Sequence, residues 1–237
     1  MLDNWQTLAR RWGQTHQCLL VDLPNHGRSP HADRHDYEHM AEAVIDLAEH
    51  LGFEHFSVLG HSMGGKVAMQ IALSHPERVQ RLIVVDMSPR QYRRGHDDIF
   101  AALKALDPAS LTDRKEAAAR LAEHITDPGV QLFLLKNLGR RAGGGFEWRM
   151  NLPVIDRDYD QLTAPVGNFG DRYEGPALFL RGAKSGYVRD EDIPYIEALF
   201  PQAEAVTIAG AGHWVHAEAP EATYEAVRDF LAGATGS

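Results

Sequence analysis

Apolar residues along the chain fall into two alternating rhythms. Short, largely apolar runs, Gln17 to Leu23, Phe56 to Leu59, Arg81 to Val85, PALFLRG and AEAVTIAG, predict strands. Segments with apolar residues at helical spacing stand between them. Tyr37 to Leu51 carries Met40, Val44, Leu47 and Leu51 on one face, with Gly52 to close the helix. KVAMQIAL, the stretch around Ile193 to Phe200 and PEATYEAVRDFL follow the same rhythm, and Asp3 is placed to cap a helix carrying Trp5, Leu8 and Trp12. Strands alternating with helices predict an α/β fold, a mostly parallel sheet with helices on both faces. The alternation stops between about Arg90 and about Tyr173, where helical segments are broken by Pro108, Pro128, Gly143 to Gly145, Pro153 and Pro165. An insertion between two strands of such a sheet predicts a helical cap over their carboxyl ends, where ligands bind. The expected organisation is a core of residues 1–89 and 174–237 with a cap of residues 90–173.

Within this pattern, FSVLGHSMGG puts Ser62 inside Gly-x-Ser-x-Gly, at the end of an apolar run and just before KVAMQIAL. That is the layout of a nucleophile elbow. The strand-to-helix turn is so tight that positions two before and two after the serine are expected to be nearly side-chain-free, as Gly60 and Gly64 are, while Gly65 lets the helix pack closely. Ser62 is expected on a strained turn at the positive end of a helix, with the Met63 N–H as an oxyanion donor.

A serine hydroxyl is a poor nucleophile at neutral pH, so it needs a base oriented by an acid. The expected order is serine, acid, then histidine near the end of the chain. His213 follows the last predicted strand in AGAGHWVH. His216 is the nearest rival but runs into Pro220 and the final helix, and His26, in PNHGRS, is expected to fix its own turn. For the acid, the loop after PALFLRG carries Ser185 where a carboxylate would be expected. Asp190, Glu191 and Asp192 come later and can open the next helix. Asp86, at the end of RLIVVDMS, is therefore the favoured acid, with Ser185 as its auxiliary. His61, Met87 and Trp214 beside this set, and Phe100, Phe133, Leu134 and Trp148 from the cap, are the expected substrate-binding residues. Neither a metal nor a cofactor is called for.

Composition narrows the partners. The 237-residue chain is 44% hydrophobic, enough for a sizeable core. Its 33 acidic residues against 24 Lys and Arg give a net charge of −9, which argues against nucleic-acid binding. The single cysteine, Cys18, lies in QCLLVDLP; it is expected to be a buried strand residue in a reducing compartment. No apolar run reaches 18 residues, and MLDNWQTLARRW lacks the apolar stretch of a signal peptide. A cytoplasmic enzyme acting on a small molecule, without membrane association and as a monomer or homodimer, is the expectation. Arg90, Arg93, Arg94, Arg140, Arg141 and Arg149 give the cap a positive balance, either as a solvated face or as a receiver of a phosphate-bearing leaving group such as CoA.

VDLPNHGRSP, GHSMGGK, VVDMSP, HDDIFAAL, FEWRMNLPV, GAKSGYV and AGAGHWVHAEAP, in this order, resemble the α/β-hydrolase serine esterases of the bacterial YbfF type and their mitochondrial relatives over essentially the whole chain. In that family the acid follows the strand after the elbow, which maps onto Asp86. The resemblance implies hydrolysis of short acyl esters and acyl-CoA-like thioesters through an acyl-enzyme. Members of the family begin with further strands and a His-Gly-x-x-Gly loop just before the segment that reads LDNWQTL here. A chain starting at Met1 is accordingly expected to lack those strands, among them the one between QCLLVDLP and FSVLGHS, and one of two oxyanion donors. A carbon–carbon bond hydrolase or a cofactor-free perhydrolase would share the triad, and the truncation keeps open an impaired or non-catalytic binding protein. A dehalogenase or epoxide hydrolase would need a carboxylate where Ser62 stands.

Overall fold

A computed structural model describes residues 2–233. In chain order the regular elements are α1 (Gln6–Trp12), α2 (Tyr37–His50), β1 (Phe56–His61), α3 (Met63–Ser74), β2 (Val79–Val85), α4 (Asp97–Ala105), α5 (Arg114–Ala122), α6 (Pro128–Leu135), β3 (Leu138–Arg140), β4 (Phe146–Trp148), α7 (Leu152–Arg157), α8 (Tyr159–Thr163), β5 (Ala177–Gly182), α9 (Ile193–Leu199), β6 (Ala203–Ile208), α10 (Val215–Glu218) and α11 (Pro220–Leu231). They form two compact units. One holds Leu2–Val21, Tyr37–Tyr92 and residues 164–233; the other holds Asp22–Asp36 and Arg93–Thr163.

The first unit is built on a parallel sheet of order β1-β2-β5-β6. Alternation along β2 sorts its two faces. Ile83 and Val85 point into a cluster with Leu8 and Trp12 of α1, Leu178 and Leu180 of β5, and Val227 and Phe230 of α11. Val84 faces the opposite way, against α3, where a Cβ on Gly65 would lie 3.1 Å from Val84 Cγ1. Each fully buried Leu, Ile, Val or Phe of these faces contributes roughly 1.5–3 kcal/mol, which makes packing the main term holding the helices to the sheet.

Polar side chains are buried in this unit as well, a lysine among them. Lys66, on α3, has no exposed surface. Its Nζ donates to the carbonyl of Arg90 at 2.9 Å and to that of Ala164. The rings of Tyr92 and Tyr37 lie 4.9 and 5.5 Å from the amine. Burial, and secondarily the Arg90 charge, push its pKa down to about 7.

The helical unit has its own core around Phe100, Leu103, Leu121, Leu134, Leu138 and Phe146. The prolines there open helices rather than ending them. Asp107 and Asp127 accept hydrogen bonds from backbone N–H groups while Pro108 and Pro128 take the first helical position, where no N–H is needed. A hairpin absent from the sequence reading, β3 with β4, turns through Gly144 and Gly145 at φ +94° and +76°.

Several expectations are corrected. Gln17 to Leu23 forms no strand among the described residues; it has no ladder partner, Cys18 is exposed, and Leu19 is about half exposed. Asp3 does not cap α1: Leu2–Asn4 is a short 3-10 turn, Trp5 is the cap residue, and the Asp3 carboxylate accepts from Gln6 Nε2 instead. The unit boundaries also shift. Asp22–Asp36 belongs with the helices because Asn25, buried and at φ +67°, donates to the Arg34 carbonyl, and its Oδ1 accepts from Ala32 N and from Asn151 Nδ2 on the approach to α7. His35 N donates to Asp158 in the same unit. Residues 164–173 belong with the sheet, since Val166 N donates to the Pro89 carbonyl and Tyr173 Oη donates to that of Val79.

Candidate active site

The register of the parallel strands brings four chain segments to one end of the sheet. His61 pairs with Val85, Val85 with Leu180, and Gly182 with Ile208. The residues just beyond those pairs are Ser62 after β1, Asp86 after β2, Ser185 after β5 and His213 after β6. All four follow carboxyl ends, where a parallel sheet builds its sites.

Ser62 is held at φ +55°, ψ −123°, a conformation side chains rarely adopt. A residue in such a region costs about 1–3 kcal/mol and persists only where surroundings over-determine it. Here Ser62 N donates to the Val85 carbonyl at 3.1 Å, and the Ser62 carbonyl accepts from Gly65 N and Lys66 N at the start of α3. The two glycines flanking the serine differ from the symmetrical expectation. A Cβ on Gly60 would lie 1.9 Å from the Gly64 carbonyl oxygen, whereas a Cβ on Gly64 would meet nothing within 4 Å. The turn therefore demands glycine at 60 and only a close backbone at 64. Gly65 is tight as expected, with Met87 Cβ at 3.2 Å from its built Cβ.

His213 Nε2 lies 3.1 Å from Ser62 Oγ, and His213 Nδ1 lies 2.8 Å from Asp86 Oδ2. Asp86 is fully buried and at φ +51°, so its carboxylate too sits on a strained turn. Its two oxygens are supplied with donors: Gly182 N–H to Oδ1 at 3.0 Å, and Ser185 Oγ to Oδ2 at 2.5 Å. These bonds, with the imidazole N–H, compensate the burial of a carboxylate that would otherwise be costly. The Tyr187 ring stacks on the His213 ring at a centroid distance of 3.9 Å, and Tyr187 N donates to Ser185 Oγ. The stack covers one face of the imidazole, a contact that nothing in the sequence pattern signalled. The Met63 N–H opens α3, one of the first four N–H groups of a helix that have no partner within it.

The remaining carboxylates near this loop are engaged elsewhere. Asp190 pairs with Arg181, Glu191 with Arg189, and buried Asp192 with Arg90 at 3.0 Å. His216 stacks on Trp5 at 4.6 Å. His61, expected with Met87 among the substrate-binding residues, directs Nε2 to the main-chain carbonyl of His213, and Met87 is buried in the core. Trp214 is half-buried beside His61 and His213, 5.4 Å from each ring. In the helical unit, Phe100 is buried in a T-shaped contact with Tyr159, and Phe133 and Trp148 pack on the same cluster. Of the arginines, Arg94 pairs with Asp97 and Asp160, Arg141 with Glu147, and Arg140 lies over the Phe146 ring. Among the described residues no helix is long and apolar enough to cross a membrane.

The chain compares closely with known proteins. The model of the alpha/beta hydrolase family matches residues 3–226. Esterase YbfF of Escherichia coli is 39% identical over 232 residues, covering 97% of this chain and 88% of that protein. The sn-1-specific diacylglycerol lipase of Mus musculus is 41% identical over 239 residues, covering 97% of this chain and 76% of its own length. A solved structure described as a marine microorganism esterase superposes with a TM-score of 0.94 at 39% identity, covering 97% of this chain and 90% of that one.

Proposed function

This chain belongs to the alpha/beta hydrolase family, and on that premise we propose that it is a carboxylic ester hydrolase in which Ser62 is the nucleophile, His213 the general base and Asp86 the orienting acid. The observation that carries the reading is the unbroken run of contacts from Ser62 Oγ through both nitrogens of His213 to Asp86. Esterases and a lipase among its relatives support the same reaction class.

In the proposed reaction His213 Nε2 takes the Ser62 proton as Oγ attacks the carbonyl carbon. The oxyanion that forms accepts from the Met63 N–H, and one such donor is worth ~10²–10³ in rate. His213 then returns the proton to the leaving alcohol, leaving an acyl-enzyme on Ser62. Water activated by the same nitrogen attacks the acyl carbon and releases the acid. Asp86 keeps the Nδ1 proton in place throughout, and Ser185 and Gly182 keep Asp86 in place.

Short acyl esters are the proposed substrates, with acyl thioesters as a second leaving-group class. The ester reading is favoured because Arg90, Arg94 and Arg141 each already hold a carboxylate, leaving less positive charge for a phosphate-bearing leaving group. Trp214, beside His213, is the proposed substrate contact, and the proposed setting is the cytoplasm, as a monomer or homodimer. Hydrolysis of a short-chain nitrophenyl ester by the chain, and its loss in Ser62→Ala, tests the reading; turnover unchanged in Ser62→Ala would end it.

A further inference from the structure

His61 ends β1 and is joined to Ser62 by one peptide bond. Its Nε2 lies 2.7 Å from the main-chain oxygen of His213. A carbonyl oxygen only accepts, so Nε2 must carry the proton, and the contact fixes the tautomer of His61. The ring is packed as well as bonded. The His213, His216 and Trp214 rings lie 4.6, 4.7 and 5.4 Å from it, and His216 in turn stacks on Trp5. Burial, with the neighbouring His213 and His216, holds the His61 pKa well below the ordinary histidine value, so the donor stays neutral when the base beside it gains a proton.

The segment carrying His213 runs through Gly210, at φ +77°, and Gly212, residues with no side chain to restrict the backbone. The His213 ring is held by Asp86 and by the Tyr187 stack, while main-chain ties hold its neighbours: the Ala211 carbonyl accepts from Lys184 N, and Gly212 N and Trp214 N donate to Glu218. The bond from His61 acts at His213 itself and comes from the residue next to the nucleophile. Nucleophile and base are thereby linked twice, through Oγ to Nε2 at 3.1 Å and through the His61 ring to the His213 main chain. We infer that His61 is a positioning residue for this reaction, which sets the distance between Ser62 and His213 by holding the carbonyl of the base. The inference rests on the triad proposed above.

The test compares His61→Leu, which keeps bulk and removes the donor, with His61→Gln, whose amide can reach the position of Nε2, and His61→Asn, whose amide falls short of it. On the full chain, kcat and KM for a nitrophenyl ester, the rate of Ser62 labelling by a fluorophosphonate, and the melting midpoint are measured together. Displacing a catalytic group by ~1 Å can cost ~10² in rate. His61→Leu and His61→Asn should therefore lose about 10- to 100-fold in kcat and in labelling rate with KM within about twofold, while His61→Gln recovers most of the loss. If His61→Leu fails to fold, His61→Asn against His61→Gln decides. Asn and Gln variants that are folded and equally fast overturn the inference and leave the triad standing. A wild-type chain whose Ser62 is not labelled at all overturns the triad, and the inference with it.

Discussion

Ser185 donates a 2.5 Å hydrogen bond to Asp86 Oδ2, the oxygen that also faces His213 Nδ1 at 2.8 Å. A serine thus stands after β5, where the sequence pattern led one to look for an acid, and its hydroxyl serves a carboxylate on the adjacent strand. Asp86→Asn should lower kcat by about 10⁴, the cost of losing the orienting carboxylate in a comparable triad. Ser185→Ala removes one of several donors to Asp86 and should cost about tenfold, the scale of a hydrogen bond to a charged group. Steady-state kinetics of the two variants decides between them; an Asp86→Asn rate within a few-fold of wild type would contradict the assignment.

The two elbow glycines should respond in opposite ways to alanine. At position 60 the added methyl would lie 1.9 Å from the Gly64 carbonyl oxygen, so the turn must open, and Gly60→Ala should yield aggregated or strongly destabilised protein. At position 64 the methyl enters open space near the start of α3. Gly64→Ala should leave the melting midpoint unchanged or raise stability by up to about 1 kcal/mol, as expected for alanine replacing glycine in a helix. Thermal melts of both variants check this.

Lys66 should make stability depend on pH in the alkaline direction. Its pKa is about 7 in the folded chain and 10.5 without the burial. Between those values the unfolded chain binds one more proton than the folded one, so stability rises as pH climbs above about 7. The slope from this group is at most about 1.4 kcal/mol per pH unit. Lys66→Met should abolish that rise between pH 7.5 and 9.5 in urea unfolding. Parallel pH profiles for wild type and Lys66→Met would show that the amine is already charged in the fold.

Much of the sheet unit was legible because periodicity and glycine placement are local signals. The segments read as β1, β2, β5, β6 and α11 coincide with the observed elements, and the serine, histidine and aspartate named from motif and chain order lie in contact. What was not legible depends on partners distant in sequence. Gln17 to Leu23 has the composition of a strand but no ladder to join. Prolines 108 and 128 read as breaks until the aspartates before them are seen to cap helices. The β3–β4 hairpin is only three residues per strand, too short for a period-2 pattern to register, although the glycine run marked its turn. The burial of Lys66 has no local signal in the sequence, since the two carbonyls that hold it inside come from Arg90 and Ala164, distant along the chain.

The central claim is that the Ser62 hydroxyl is activated by His213. The most direct measurement is mass spectrometry of the chain after exposure to a fluorophosphonate, which reacts with an activated serine whatever the natural ester. The account requires one adduct, on the peptide carrying Ser62, and its loss in both Ser62→Ala and His213→Ala. An adduct on a different serine, or labelling of Ser62 that survives His213→Ala at the wild-type rate, would contradict it.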